Sequence, residues 1–178
     1  MSDVLVEVSG VDAEPGAPGE MSEYARALLD PSSDAVDEPE RVLLDALARE
    51  QGVDPALLQL PLVADLVSLA MLTRARGACV NVDGHVRVTG VPPRPDGWLI
   101  DLADGRQLGV IEGGIAELAT PLAERVVAIA PSAYEAALVT RRPAVAAIED
   151  GAEVWRRVAS GAVTSTPGFA AFIRSSRD

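Results

Sequence analysis

Residues 78–90 read ACVNVDGHVRVTG, two short valine-rich runs on either side of Asp83-Gly84. Asp-Gly between alternating apolar residues is a strong signal for a two-residue hairpin, because the primed turn types need positive φ at their centre. The chain's one histidine, His85, follows the turn directly, with Asp83 and Asn81 beside it. Read alone, Asp83 and Gly84 are turn chemistry. Read with His85, they put the candidate site of the chain at this hairpin.

Downstream, residues 91–97 (VPPRPDG) form a rigid loop and residues 98–102 a strand, which a second Asp-Gly, Asp104-Gly105, turns back into a strand over 106–111. Gly113-Gly114 then separates this hairpin from IAELAT; such a pair is either a bend in a strand or a backbone nest for an anion. The apolar run VVAIA over 126–130 has strand length, and Pro131-Ser132 opens a helix through Ala133, Ala136 and Ala137 that Pro143 ends. Two more short helices are expected over 144–148 and 152–158, the second with Trp155 turned inward. Final strands over 163–166 and 169–173 meet across Pro167-Gly168.

Upstream, residues 4–8 alternate as a strand does, and the Gly- and Pro-rich stretch 10–20 is a loop. A short helix over 21–29 and an acidic linker precede a helix over 41–49, where Leu43, Leu44, Leu47 and Ala48 recur at helical spacing. Residues 60–76 predict a further helix, ended by Gly77 in the left-handed conformation. It is apolar nearly all round and carries one acid, Asp65, which is read as an exposed helix residue or the partner of a backbone group. Together these elements predict an acidic, partly ordered leader over 1–37 and a single α+β domain over 38–178, an antiparallel sheet meander with packed helices.

Composition narrows the function. With 27 acidic and 15 basic residues the formal charge of the 178-residue chain is -12, which opposes contact with nucleic acid or an anionic membrane surface. Every basic residue is Arg, so lysine chemistry (Schiff bases, phosphate-loop lysines) is excluded. A single cysteine, Cys79, allows neither an intrachain disulfide nor a cysteine metal cluster, and is expected in the core. The first residues lack a basic segment followed by an apolar one, and no apolar run has bilayer length. A soluble, cytoplasmic protein is expected.

Several words of the sequence, in the same order, resemble the C-terminal part of the FAD:protein FMN transferase (ApbE-like) family, from about residue 60 onward. Val63-Ala64-Asp65 resembles the family's Ala-Val-Asp word on a helix. Val80-Asn81-Val82-Asp83-Gly84-His85 and the following Val86-Arg87-Val88-Thr89-Gly90 resemble its V-N-L-G-G-D strand and turn. Pro92-Pro93 before Gly97-Trp98 and Ala119-Thr120-Pro121 stand where the family has a Pro-rich loop before G-W and an A-T-S word. Glu135-Ala136-Ala137-Leu138-Val139-Thr140 resembles its A-D-A-L-A-T helix. The resemblance implies a T-fold-like architecture, a flavin (FAD or FMN) as ligand, and Asn81, Asp83, His85, Thr120 and Thr140 as the positions that face it.

The departures fall where that family carries out its reaction, attachment of a flavin to a protein threonine. The acid of G-G-D is His85 here, and the helical Asp that the family uses as a Mg²⁺ ligand is Ala136, so no metal site is assigned. The family's H-H-L-I-D-P segment is missing, since Arg125 runs straight into VVAIA, and its long N-terminal part has no counterpart. The resemblance therefore implies a degenerate, truncated relative that is catalytically inactive and binds a small ligand, flavin among the candidates, or a partner. Two other readings stay open. One is an enzyme with new acid/base chemistry at His85 and Asp83; the other is a purely structural subunit. Covering an apolar face would fall to a homodimer or to a separately encoded partner.

Overall fold

The computed structural model describes residues 4–9, 52, 54–72, 75–121, 124–142 and 151–174. The helices expected over 21–29, 41–49 and 144–148 lie outside them. Among the described residues the elements run β1 (Val4–Ser9), α1 (Pro55–Met71), β2 (Gly77–Val82), β3 (His85–Gly90), β4 (Trp98–Asp101), β5 (Gln107–Val110), β6 (Gly113–Ala119) and β7 (Arg125–Ala130). They continue through α2 (Ala133–Val139), β8 (Glu153–Arg157), β9 (Val163–Ser165), a 3-10 turn (Phe169–Phe172) and β10 (Ile173–Arg174).

The hairpin on which the sequence reading centres is formed. Asp83 and Gly84 take φ of 48° and 85°, the two successive positive values that a two-residue primed turn requires, and Val82 pairs with His85. The Asn81 side chain closes the turn, its Oδ1 accepting from the Gly84 N–H at 2.9 Å. From this hairpin grows a seven-stranded sheet in the order β1-β2-β3-β6-β7-β8-β9, with antiparallel pairing throughout. The expected α+β class is what the chain forms, and the strand run is shared between two sheets. After β3 the proline-rich loop carries the chain to a second sheet, β10-β5-β4, so β6 rather than β4 pairs with β3.

Each face of the large sheet is covered by a different layer. Val86, Val88, Ile115, Val127 and Ile129 pack against Trp98, Leu108 and Val110 of the second sheet, with Phe169 from the 3-10 turn closing the core. Both helices lie on the opposite face, α1 over Val80 and Val82 and α2 over Ala116, Ala128 and Val154. A charge network fastens the small sheet to the large one. Arg125 Nε lies 2.7 Å from Glu117 and its Nη1 3.5 Å from Asp104; Arg106 binds Asp104 at 2.8 Å and stacks 3.8 Å above the Trp155 ring. Burial alone would raise the Asp104 carboxyl, but the hydrogen bonds and charge of Arg106, with the charge of Arg125 added, hold it below its ordinary value.

Four local expectations are corrected. The helix expected over 60–76 starts instead at Pro55 and ends at Met71, with Pro61 inside it. Proline suits the first helical position because its missing N–H costs nothing there, and Pro55 takes that place. Gly77 is not a left-handed helix cap but the first residue of β2, where a side chain would sit 2.2 Å from the Val91 carbonyl oxygen. Residues 152–158, expected as a helix, contain strand β8: Val154 packs on the α2 side and Trp155 on the other, so both faces are apolar and the strand alternation is hidden. Residues 169–173 form the 3-10 turn and the start of β10 instead of one strand, which seats the Phe169 side chain in the core.

Gly113-Gly114 has a different purpose from either reading of it. Gly113 takes φ of 135° at the start of β6, and a Cβ on Gly114 would fall 2.0 Å from the Ala133 nitrogen. The pair lets the N-terminus of α2 rest directly on the sheet.

Candidate functional site

α2 decides where the candidate residues meet. Its start is held by two carboxyl-bearing or hydroxyl groups: the Ser132 hydroxyl accepts from the Glu135 N–H at 3.1 Å, and Asp65 on α1 accepts from the N–H groups of Ala133 at 2.9 Å and Tyr134 at 3.0 Å. Asp65 is thus the partner of a backbone group, one of its two expected roles. Arg87 completes the cluster, its Nε 3.8 Å from Asp65 and its Nη1 donating to the Pro131 carbonyl. Burial raises the Asp65 carboxyl, and the two N–H groups and Arg87 offset only part of that.

From this anchor α2 runs back over β6 and β7 toward the end of the sheet that carries the β2–β3 turn. Its C-terminal turn is capped internally: the Thr140 hydroxyl donates to the Ala137 carbonyl at 2.7 Å, and Arg141 Nη1 donates to the same oxygen at 2.8 Å. Arg156, at the end of β8, donates from Nη2 to the Arg142 carbonyl at 2.7 Å. Two arginine side chains, Arg141 and Arg156, therefore bind carbonyls at the end of this short helix.

The structure separates the residues expected to act together. Because Val82 faces His85 across the turn, His85 shares the helix-covered face with Val82, while Asn81 points to the other face and is used in closing the turn. Asp83 is exposed at the turn itself. His85 is half-buried, and its Nδ1 is buried without a hydrogen-bond partner. Thr120, directly after β6, keeps its N–H on the Glu124 carbonyl at 2.9 Å, but its buried hydroxyl is also unpartnered. Thr140 is 3% exposed and its hydroxyl is engaged by the helix. His85, Thr120 and Thr140 thus share the end of the sheet where α2 stops; Asn81 does not belong to this group.

Sequence reasoning missed Arg141 and Arg156. The available signal was the pair of doublets, Arg141-Arg142 and Arg156-Arg157, in a chain of formal charge -12.

Burial first, and then the charge of Arg141, lower His85 below its ordinary value against the opposing pull of Asp83. Its imidazole is consequently neutral at neutral pH, able to accept a proton or to share a hydrogen bond. The thiol of Cys79 offers it no nucleophile: the side chain packs against the inter-sheet core, and burial, with the charge of Glu7 added, pushes it up to about 12.

The lowered His85 carries a stability consequence. A histidine that resists protonation in the fold binds fewer protons than the unfolded chain, so stability is lost as pH falls below the ordinary value of about 6.5. Urea unfolding of the wild type and His85→Gln between neutral and mildly acidic pH should show the gap between them narrowing, or reversing in favour of the variant, as pH falls. Parallel curves would show that His85 does not titrate differently in the fold.

No protein-family model matches the sequence, and no curated protein matches it. Solved structures do. The ApbE protein of Thermotoga maritima superposes with a TM-score of 0.68 at 12% identity, over 98% of this chain and 100% of that one. The flavin transferase ApbE of Vibrio cholerae gives 0.54 at 14% identity over 67% of this chain and 52% of its own. The apo flavinyl transferase ApbE of Pseudomonas stutzeri gives 0.54 at 16% identity over 94% and 78%. Two sheets with helices on the outer face of the larger one make an α+β fold like that of these ApbE proteins. The chain has the ApbE fold, and the likeness reaches beyond the stretch from residue 60 that carries the sequence words. Among the described residues, no helix is long and apolar enough to cross a membrane.

Proposed function

We propose that this chain is a flavin-transferase-fold protein that does not transfer flavin and instead binds a small ligand, a flavin nucleotide, at the end of the sheet where α2 stops. The observation that carries the loss of transfer is Ala136. It stands where the resemblance puts a Mg²⁺-binding Asp, is 0% exposed, and packs in an apolar cluster with Ala116, Ala128 and Val154. A methyl group donates nothing to a hard cation, and the Thr140 hydroxyl, which donates its proton to the Ala137 carbonyl, leaves only one neutral oxygen there in place of an anionic ligand. The residues present do not fit the ion, so no step of the reading passes through it. Retained ligand binding is supported by the buried, unpartnered polar atoms His85 Nδ1, Thr120 Oγ1 and Arg156 Nε, since buried polar groups in folded proteins nearly always have partners.

The test is a flavinylation assay of the purified chain with FAD, Mg²⁺ and a threonine-containing acceptor peptide, run beside equilibrium dialysis against FAD and FMN. Flavin nucleotide should be retained and the acceptor should carry no more flavin than the no-protein control. Labelled acceptor would overturn the loss of transfer; absence of binding to either nucleotide would overturn the ligand.

A further inference from the structure

We infer that the site at the end of α2 holds the phosphate of its nucleotide through the protein's own guanidinium groups, Arg141 foremost, without a divalent cation. The inference rests on the ligand-binding reading above and adds to it the part of the ligand that is recognised and the charge that recognises it.

Unpaired positive charge is the first argument. Among the described residues Arg87, Arg106 and Arg125 are paired with carboxylates. Arg141 and Arg156 form no ion pair among the described residues. Both are half-buried, and both are fixed by carbonyl oxygens at one edge of the guanidinium: Arg141 Nη1 on Ala137, Arg156 Nη2 on Arg142. A carbonyl orients such a group but does not neutralise it, and the buried Nε of Arg156 still lacks an acceptor. Two oriented guanidinium groups at one helix end, neither paired with a carboxylate among the described residues, suit an anion with several oxygens, and phosphate matches the guanidinium fork.

The second argument is the exchange of charge along the helix. Where the resemblance places an acid that would bring in a cation, Ala136 brings none; five residues on, Arg141 supplies a fixed positive charge at the same end of α2. Its field reaches His85. Thr120 and His85, neutral and each with an unpartnered buried atom, are suited to uncharged parts of the ligand.

The experiment measures binding of FAD, FMN, ADP and riboflavin to the purified full-length chain by titration calorimetry, with EDTA and then with Mg²⁺. Phosphate-bearing ligands should bind equally in both buffers, and riboflavin should bind about tenfold or more weakly, the loss expected for one charge-assisted contact. Arg141→Ala should weaken FAD by a similar factor, and Arg141→Lys should restore part of it. Arg141→Gln, which keeps a donor for the Ala137 carbonyl, serves if the alanine variant does not fold, and should bind as weakly. Binding that needs Mg²⁺, riboflavin bound as well as FMN, or undiminished binding by the Arg141 variants would overturn the inference and leave the ligand-binding reading standing. ADP bound without either flavin would support phosphate recognition and sink the flavin reading. No binding of any of the four would sink both.

Discussion

Asp65→Ala is expected to destabilise the fold by about 2–4 kcal/mol, because two backbone N–H groups lose their acceptor at once and each unsatisfied buried donor costs about 1–3 kcal/mol. Those N–H groups belong to Ala133 and Tyr134 and open α2, so the loss falls on the helix that positions the candidate site. Arg87, whose side chain is 14% exposed, would lose its carboxylate in the same substitution. The 3.8 Å separation of that pair, long for a charge-assisted hydrogen bond, keeps its share small. Asp65→Asn separates the contributions, since the amide retains one acceptor oxygen while removing the charge, and should recover part of the loss. Urea unfolding with a common slope for the three proteins measures it. A change under about 0.5 kcal/mol for Asp65→Ala, the scale of an ordinary surface substitution, would show that the Ser132 cap suffices for α2.

Ala136→Asp is expected to damage the protein rather than restore a metal site. The position is fully buried among Ala116, Ala128, Val139 and Val154. A carboxylate there has no partner, and an uncompensated buried charge costs about 3–5 kcal/mol. Added volume in a packed core works in the same direction. Combining it with His85→Asp should not produce transfer, because the second acid lies on β3 while the cluster around 136 stays closed. Thermal unfolding with and without Mg²⁺ is the decisive measurement. A well-folded Ala136→Asp variant whose midpoint rises with Mg²⁺ would mean that the site is one substitution from binding the ion, and that the proposed loss of transfer rests on the wrong residue.

The pH dependence at His85 and the effect of Arg141 on binding concern single groups at the end of α2. The two substitutions above concern the helix that brings that end into place.

Local chemistry made part of this structure legible in the sequence. Asp83-Gly84 dictates its turn because only that backbone geometry joins two strands in two residues, and the turn in turn dictates that Val82 faces His85. The opposite facing of Asn81 and His85 therefore follows from the sequence, close as the two are along the chain. VVAIA and Pro131-Ser132 likewise announce β7 and α2 by length and by the chemistry of a helix start. What the sequence alone could not decide depends on which distant segments meet. The hairpin of β4 and β5 has the same local signature whether it continues the first sheet or starts a second. β8 loses its alternation because both of its faces are covered, by Val154 against α2 and Trp155 against the second sheet. Asp65 finds its two N–H groups 68 and 69 residues away. Gly114 is required by a helix that lands on it from the far side of a strand pair. Periodicity and turn residues record forces acting within a few residues, whereas sheet order, caps between helices and the gathering of Arg141 and Arg156 are set by burial between segments, and burial leaves no local mark until the layers are in place.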